Sequence, residues 1–126
     1  LLDTHALIWW ANGDERLPAR TRTLIADQKN EVLISVVSAW EMQIKVSLKK
    51  LKLRQMPSAI FRQLILEQNM RLLSIELEHF DALALLPSKH RDPFDRMLMA
   101  QAKSEKLKLV SKDPIFTEYG VGVQYD

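Results

Sequence analysis

Short apolar runs alternate along the chain with longer stretches in which apolar residues recur every three or four positions. LLD (1–3), EVLIS (31–35), RLLSI (71–75), LKLVS (107–111) and VGVQY (121–125) have the length of strands. Between them, helices are predicted over Thr4–Asn12, Pro18–Gln28, Val36–Lys49, residues 57–69, Glu78–Leu86, Pro93–Glu105 and Asp113–Tyr119. Pro18, Pro57 and Pro93 stand where these helices start, the place at which a missing N–H costs little, and Gly120 is placed to end the last one. Within Val36–Lys49 the apolar positions 37, 40, 44 and 48 have helical spacing and predict the core-facing stripe. Strands alternating with helices of this length predict an α/β fold with a mostly parallel sheet covered on both faces. No repeat, linker or low-complexity segment divides residues 1–126, so one domain is expected. In open sheets of this kind sites form beyond the carboxyl ends of the strands, which directs attention to the polar residues just after each run.

Composition narrows the chemistry. The 126 residues are 47% hydrophobic and 27% charged, enough apolar material for one core. The absence of cysteine excludes disulfides and thiolate-bound zinc, so any metal must be held by carboxylates, histidines or carbonyls. Lys and Arg number 18 against 16 Asp and Glu, a net charge of +2 that by itself neither requires nor excludes nucleic acid. No apolar run reaches the roughly 18 residues needed to span a bilayer, and the sequence contains no basic-then-apolar leader with a small-residue cleavage site; a cytoplasmic protein away from membranes is the expectation.

Four acidic positions then stand out. Asp3 follows the first apolar run and precedes a helix, where an N-cap would explain it. Glu41 is four residues after Val37 and three before Ile44, on the core-facing side of its helix, and a buried carboxylate requires a cation, whether Lys, Arg or a metal. In HRDPFDR (90–96), Asp92 as N-cap and Pro93 as first helical residue put Asp95 in the first turn, favoured by the helix dipole. Two carboxylates three apart repel unless something positive lies close; Arg91, Arg96 or a divalent ion would all serve. Asp113 sits between a strand and a short helix and again fits a cap. Capping does not explain why Asp3, Asp92 or Asp95, and Asp113 should share one edge of a sheet with Glu41 beside them. A Mg²⁺ or Mn²⁺ site would explain it.

With these residues assembled, the chain resembles the PIN-domain ribonucleases, and more narrowly the VapC-like toxins of type II toxin–antitoxin pairs. LLDTHALIWW, SVVSAWEMQIK, HRDPFDRMLMAQA and LVSKDPIFTEYGV follow the family's order and spacing over almost the whole chain. The resemblance implies a three-layer α/β/α sandwich and an acidic quartet at Asp3, Glu41, Asp95 and Asp113, the third chosen because MLMAQA continues the family's helix register. Asp92 would be a cap or auxiliary ligand and Ser111 a supporting polar group. His5 stands where many relatives have Asn; it would contact phosphate, orient Asp3 or sit at the rim of the site. The implied activity is hydrolysis of RNA phosphodiesters with one or two Mg²⁺ or Mn²⁺ ions, Glu41 acting as ligand or water-orienting group, to leave a 5′ phosphate. The implied partners are RNA, a cognate antitoxin and a second copy of the chain.

An acidic site needs basic surroundings to attract RNA. Lys45, Lys49, Lys50, Lys52 and Arg54 form the densest basic stretch, and Arg91 and Arg96 flank the acidic pair; Lys45, Lys49, Arg91 and Arg96 are the RNA-binding candidates, against the alternative of an ordinary solvated face. Trp9, Trp10 and Met42 are candidates for the antitoxin or dimer surface, and Trp40 belongs with the tryptophans that would stack bases or join the core. Three other readings remain: an RNA-processing nuclease of the same family outside a toxin–antitoxin pair, an Mg²⁺-dependent phosphatase with Asp3 as nucleophile and Lys112 as its lysine, and a non-catalytic module in which the acids serve only as caps and ion-pair partners.

Overall fold

A computed structural model describes residues 1–88, 90 and 92–125. Its elements follow in order: α1 Thr4–Asn12, α2 Ala19–Ala26, β1 Leu33–Ser35, α3 Val36–Ser47, α4 Pro57–Gln68, β2 Arg71–Leu73, α5 Leu77–Ala84, α6 Pro93–Ser104, β3 Leu109–Val110, α7 Ile115–Glu118 and β4 Val123–Gln124. The alternation read from the pattern is therefore present, each strand being shorter than its apolar run.

The β1–β2 and β3–β4 pairs are both parallel. The first run, expected as a strand, forms only a bridge, Leu2 lying parallel to Val110. It nevertheless joins the two pairs. Leu2 N–H donates to the Leu33 carbonyl (3.0 Å), Asp3 N–H to the Val110 carbonyl (3.0 Å) and Val110 N–H to the Leu1 carbonyl (2.8 Å). Residues 1–3 thus occupy the middle of the order β2, β1, residues 1–3, β3, β4. The strands stop early because helices begin at their ends: Asp3 caps α1 by accepting from Ala6 N–H, and Ser35 caps α3 by accepting from Val37 N–H.

Strand residues alternate between two hydrophobic clusters, which is what a sheet covered on both faces requires. Leu1, Leu33, Leu73 and Leu109 join Met97 to Ala100, Phe116 and Val121 on one face. Leu2 and Ile34 join Leu7, Trp9, Leu17, Met42, Phe61 and Leu64 on the other. The result is the expected three-layer α/β/α sandwich.

One stripe differs from expectation. Trp40 and Leu48 are 60% and 59% exposed, so positions 37, 40, 44 and 48 are not the buried face of α3. The buried face is Val37, Ser38, Glu41 and Met42. Because α3 starts directly on the end of β1, the strand fixes the helix's rotation and turns Ser38 and Glu41 toward Thr4 of α1. Trp40 instead packs edge-on against Phe94 at 5.2 Å. The helix ends with Lys49 in the left-handed region (φ 58°), Lys50 N–H returning to the Lys45 carbonyl. Among the described residues no helix is long and apolar enough to cross a membrane.

Candidate active site

Three routes bring acids to the carboxyl edge of the sheet. Asp3 ends the central run of residues 1–3 and Asp113 lies just past β3; Glu41 projects from the second turn of α3, which continues β1, and Asp95 lies in the first turn of α6. Asp3 and Asp113 line one open cleft of about 360 Å³ together with His5, Trp9, Lys112 and Pro114. Larger hollows of about 590 and 490 Å³ lie elsewhere, with none of the four acids in their walls.

Each carboxylate has partners of its own. Asp3 is buried; Ala6 N–H donates to its Oδ1 (2.8 Å) and Ser111 also hydrogen-bonds to it. Burial pushes its carboxyl up, the negative charge of Glu41 adding to that effect, while the bonds from Ser111 and Ala6 and the proximity of His5 oppose it. Glu41, 3% exposed, receives the Thr4 hydroxyl on Oε1 (2.6 Å) and the Lys45 ammonium on Oε2 (2.6 Å). Asp95 Oδ2 meets His90 Nε2 at 2.9 Å. Burial raises the Asp95 carboxyl from 3.8 to about 6, with the charges of Asp92 and Glu41 pushing the same way against the His90 contact. Asp113 is exposed and accepts from the N–H of Ile115, the first residue of α7, through Oδ1 (3.0 Å); the cap position itself is Pro114.

The supporting residues fall in place. Asp92 caps α6, its Oδ1 accepting from Phe94 N–H (2.9 Å) and Asp95 N–H (3.3 Å). Ser111 is buried between two acids, bonding to Asp3 and accepting from Asp113 N–H (3.0 Å). His5 is exposed at the rim of the cleft, 5.9 Å from the Trp9 ring.

The basic candidates divide. Lys45 points at Glu41 rather than outward. Lys49 is exposed at the end of α3. Arg96 donates to the Pro87 and His90 carbonyls (2.6 and 3.5 Å) and so ties down the loop before α6 instead of neutralising the acidic pair. Arg91 lies outside the described residues. Lys52 and Arg54 line a hollow with Ala11 and Asn12, at the far end of α1, about 12 Å along that helix from Asp3.

Two contributors were not picked out in the sequence. His90 opens the HRDPFDR motif, and its position beside an acidic pair was the available signal. Thr4 gave none, since its bond to Glu41 spans 37 residues.

The donor set fits a hard divalent cation in chemistry and charge. Asp3, Glu41, Asp95 and Asp113 are all oxygen donors, and the charge of Glu41 raises the cost of charge at Asp3 and Asp95. Among the described residues, however, no three His, Asp or Glu side chains are grouped closely enough to hold an ion as they stand.

Comparison with known proteins bears on the fold. The family described as PIN domain matches residues 1–122. Among proteins of curated function none matches. Similar solved structures include VapBC2 from Rickettsia felis bound to a DNA fragment from its promoter (TM-score 0.74, 16% identity, 99% of this chain and 97% of that chain covered). DNA-bound VapBC from Salmonella typhimurium (0.72, 17%, 98% and 94%) and FitAcB from Neisseria gonorrhoeae (0.68, 20%, 97% and 94%) are also similar. At these identities the likeness is one of fold.

Proposed function

The chain belongs to the PIN domain family, and from that premise we propose that it is a metal-dependent endoribonuclease, the toxin of a VapBC-like toxin–antitoxin pair. The observation that carries the reading is the gathering of mutually repelling carboxylates at one sheet edge, with Asp95 held up to about 6 by burial and by the charges of Asp92 and Glu41. A protein with only structural uses for these acids gains nothing from keeping them together.

In this reading Asp3, Asp95 and Asp113 hold Mg²⁺ or Mn²⁺, with Glu41 beside them. When bound, the ion offsets the negative charge that builds on the phosphate and makes a water more acidic. The chain's own part is positioning: Ser111 orients Asp3 and the Asp113 backbone, Asp92 fixes the first turn of α6 under Asp95, and Thr4 orients Glu41. His5 and Lys112 at the rim are placed to meet the RNA backbone.

The reading takes residues 1–126 as one PIN domain acting in the cytoplasm, with an antitoxin as partner, as in the VapBC and FitAB complexes of similar fold, and with a homodimer as the assembled form. An Asp3-based phosphatase is less well supported, because Asp3 is only 6% exposed and its carboxylate is hydrogen-bonded by Ala6 N–H and Ser111 rather than standing free as a nucleophile.

The test is cleavage of total cellular RNA by the purified chain with Mg²⁺, Mn²⁺ or EDTA, beside a folded Asp95→Asn variant. Cuts that need the metal and vanish in the variant are expected. Cleavage that survives EDTA or the substitution would overturn the proposal.

A further inference from the structure

Of the four acids, Glu41 has a different kind of partner from the rest. Asp3 is served by a hydroxyl and a backbone N–H, Asp113 by a backbone N–H and Asp95 by His90. Among the described residues Glu41 alone of the four is in an ion pair with a Lys or Arg. The pair is built into α3: Lys45 follows Glu41 by one helical turn, with the acid on the N-terminal side, the favourable order.

Both oxygens of Glu41 are taken. Thr4 Oγ1 lies 2.6 Å from Oε1 and 3.0 Å from Ser38 Oγ; since a hydroxyl has one proton, Thr4 donates to Glu41 and accepts from Ser38. Lys45 Nζ lies 2.6 Å from Oε2. The Glu41 side chain is 3% exposed and that of Lys45 37%, so the ammonium covers the solvent side of the carboxylate. Thr4 adjoins Asp3 in sequence, which couples this arrangement to the neighbouring acid.

We propose that Lys45 is a built-in cation of the site: with Thr4 it reserves Glu41 and keeps it out of the metal's ligand set, leaving Asp3, Asp95 and Asp113 to hold a single divalent ion. Lys45 is then a positioning residue and not an RNA contact. The inference rests on the nuclease reading above.

The test is titration of the full chain with Mn²⁺ alone, by calorimetry and by the electron paramagnetic resonance of the unbound ion, without RNA. Wild type, Lys45→Met, Lys45→Gln, Lys45→Arg and Asp3→Asn are compared after circular dichroism confirms folding; either neutral variant suffices. The wild type is expected to bind one Mn²⁺ per chain. Removing the charge is expected to tighten binding by about tenfold, or to admit a second ion at the freed Glu41, with Lys45→Arg remaining close to wild type. Two ions per wild-type chain, or neutral variants that bind Mn²⁺ no better than wild type, would overturn the proposal while leaving the nuclease reading intact. Asp3→Asn separates the two: if it binds Mn²⁺ as well as wild type, or if wild type binds none, the nuclease reading falls and takes this inference with it.

Discussion

Two groups of buried polar side chains lie on either side of the β1–α3 junction, and they are built on opposite rules. Behind it, Ser35 donates to Gln101 Oε1 (2.6 Å), Gln101 Nε2 donates to the Ser74 carbonyl (3.3 Å), and His79 Nδ1 accepts from Glu76 N–H (3.0 Å). These hydrogen bonds link β1, α5 and α6 and fix how those elements meet. In front of it, Asp3, Glu41 and Asp95 are partly or wholly buried, and the charge of Glu41 raises the cost of charge at both Asp3 and Asp95. The first network is satisfied internally except at His79 Nε2, which has no hydrogen-bond partner among the described residues and lies 3.6 Å from Glu105 Oε2. The second carries negative charge beyond what Lys45 offsets at Glu41, which is the mark of a site rather than of a scaffold.

Substitutions can break this contrast. The largest effect is expected from Asp3→Asn, because asparagine still caps α1 but no longer brings a charge. Metal-dependent cleavage should fall by about 100-fold or more while the metal-free fold is at least as stable, read by RNA cleavage and thermal melting. Gln101→Ala should do the reverse. It leaves the buried Ser35 hydroxyl without its acceptor and should cost about 1–3 kcal/mol in denaturant unfolding, with cleavage per folded molecule nearly unchanged.

Acidity sharpens the contrast further. The Asp95 carboxyl is raised from 3.8 to about 6, so in the metal-free protein its contribution to stability is complete below about pH 3.8 and is lost as pH rises through about 6. Asp95→Asn, uncharged throughout, should therefore gain on wild type across that interval, and added Mn²⁺ should close the gap by stabilising wild type alone. Thermal melting at several pH values reads this directly. The smallest effect is expected at the exposed Lys49: Lys49→Ala should weaken RNA binding by less than about threefold, seen as a slightly shallower salt dependence.

What the sequence disclosed follows from the range of the interactions involved. Helix starts at Asp92-Pro93 and Met56-Pro57, and the end at Gly120, are local and were readable to within a residue or two. The acids after the apolar runs were readable too, because a parallel sheet forces them to one edge. The face of α3 was not: the spacing of Trp40, Ile44 and Leu48 pointed to a buried stripe, but the helix's rotation is set by its direct splice onto β1. Lys45 was read as an RNA contact because a basic run resembles a binding surface, while its Glu41 partner one turn earlier was the more informative neighbour. Arg96 was likewise assigned to the acids and instead holds backbone carbonyls of the preceding loop.

Completion of the acidic edge by a divalent cation is checked by thermal denaturation of wild type and Asp95→Asn in EDTA and in Mn²⁺. The melting temperature is expected to rise with Mn²⁺ in wild type and to stay nearly level in the variant. Equal shifts in both proteins, or none in wild type, would show that no cation completes the edge.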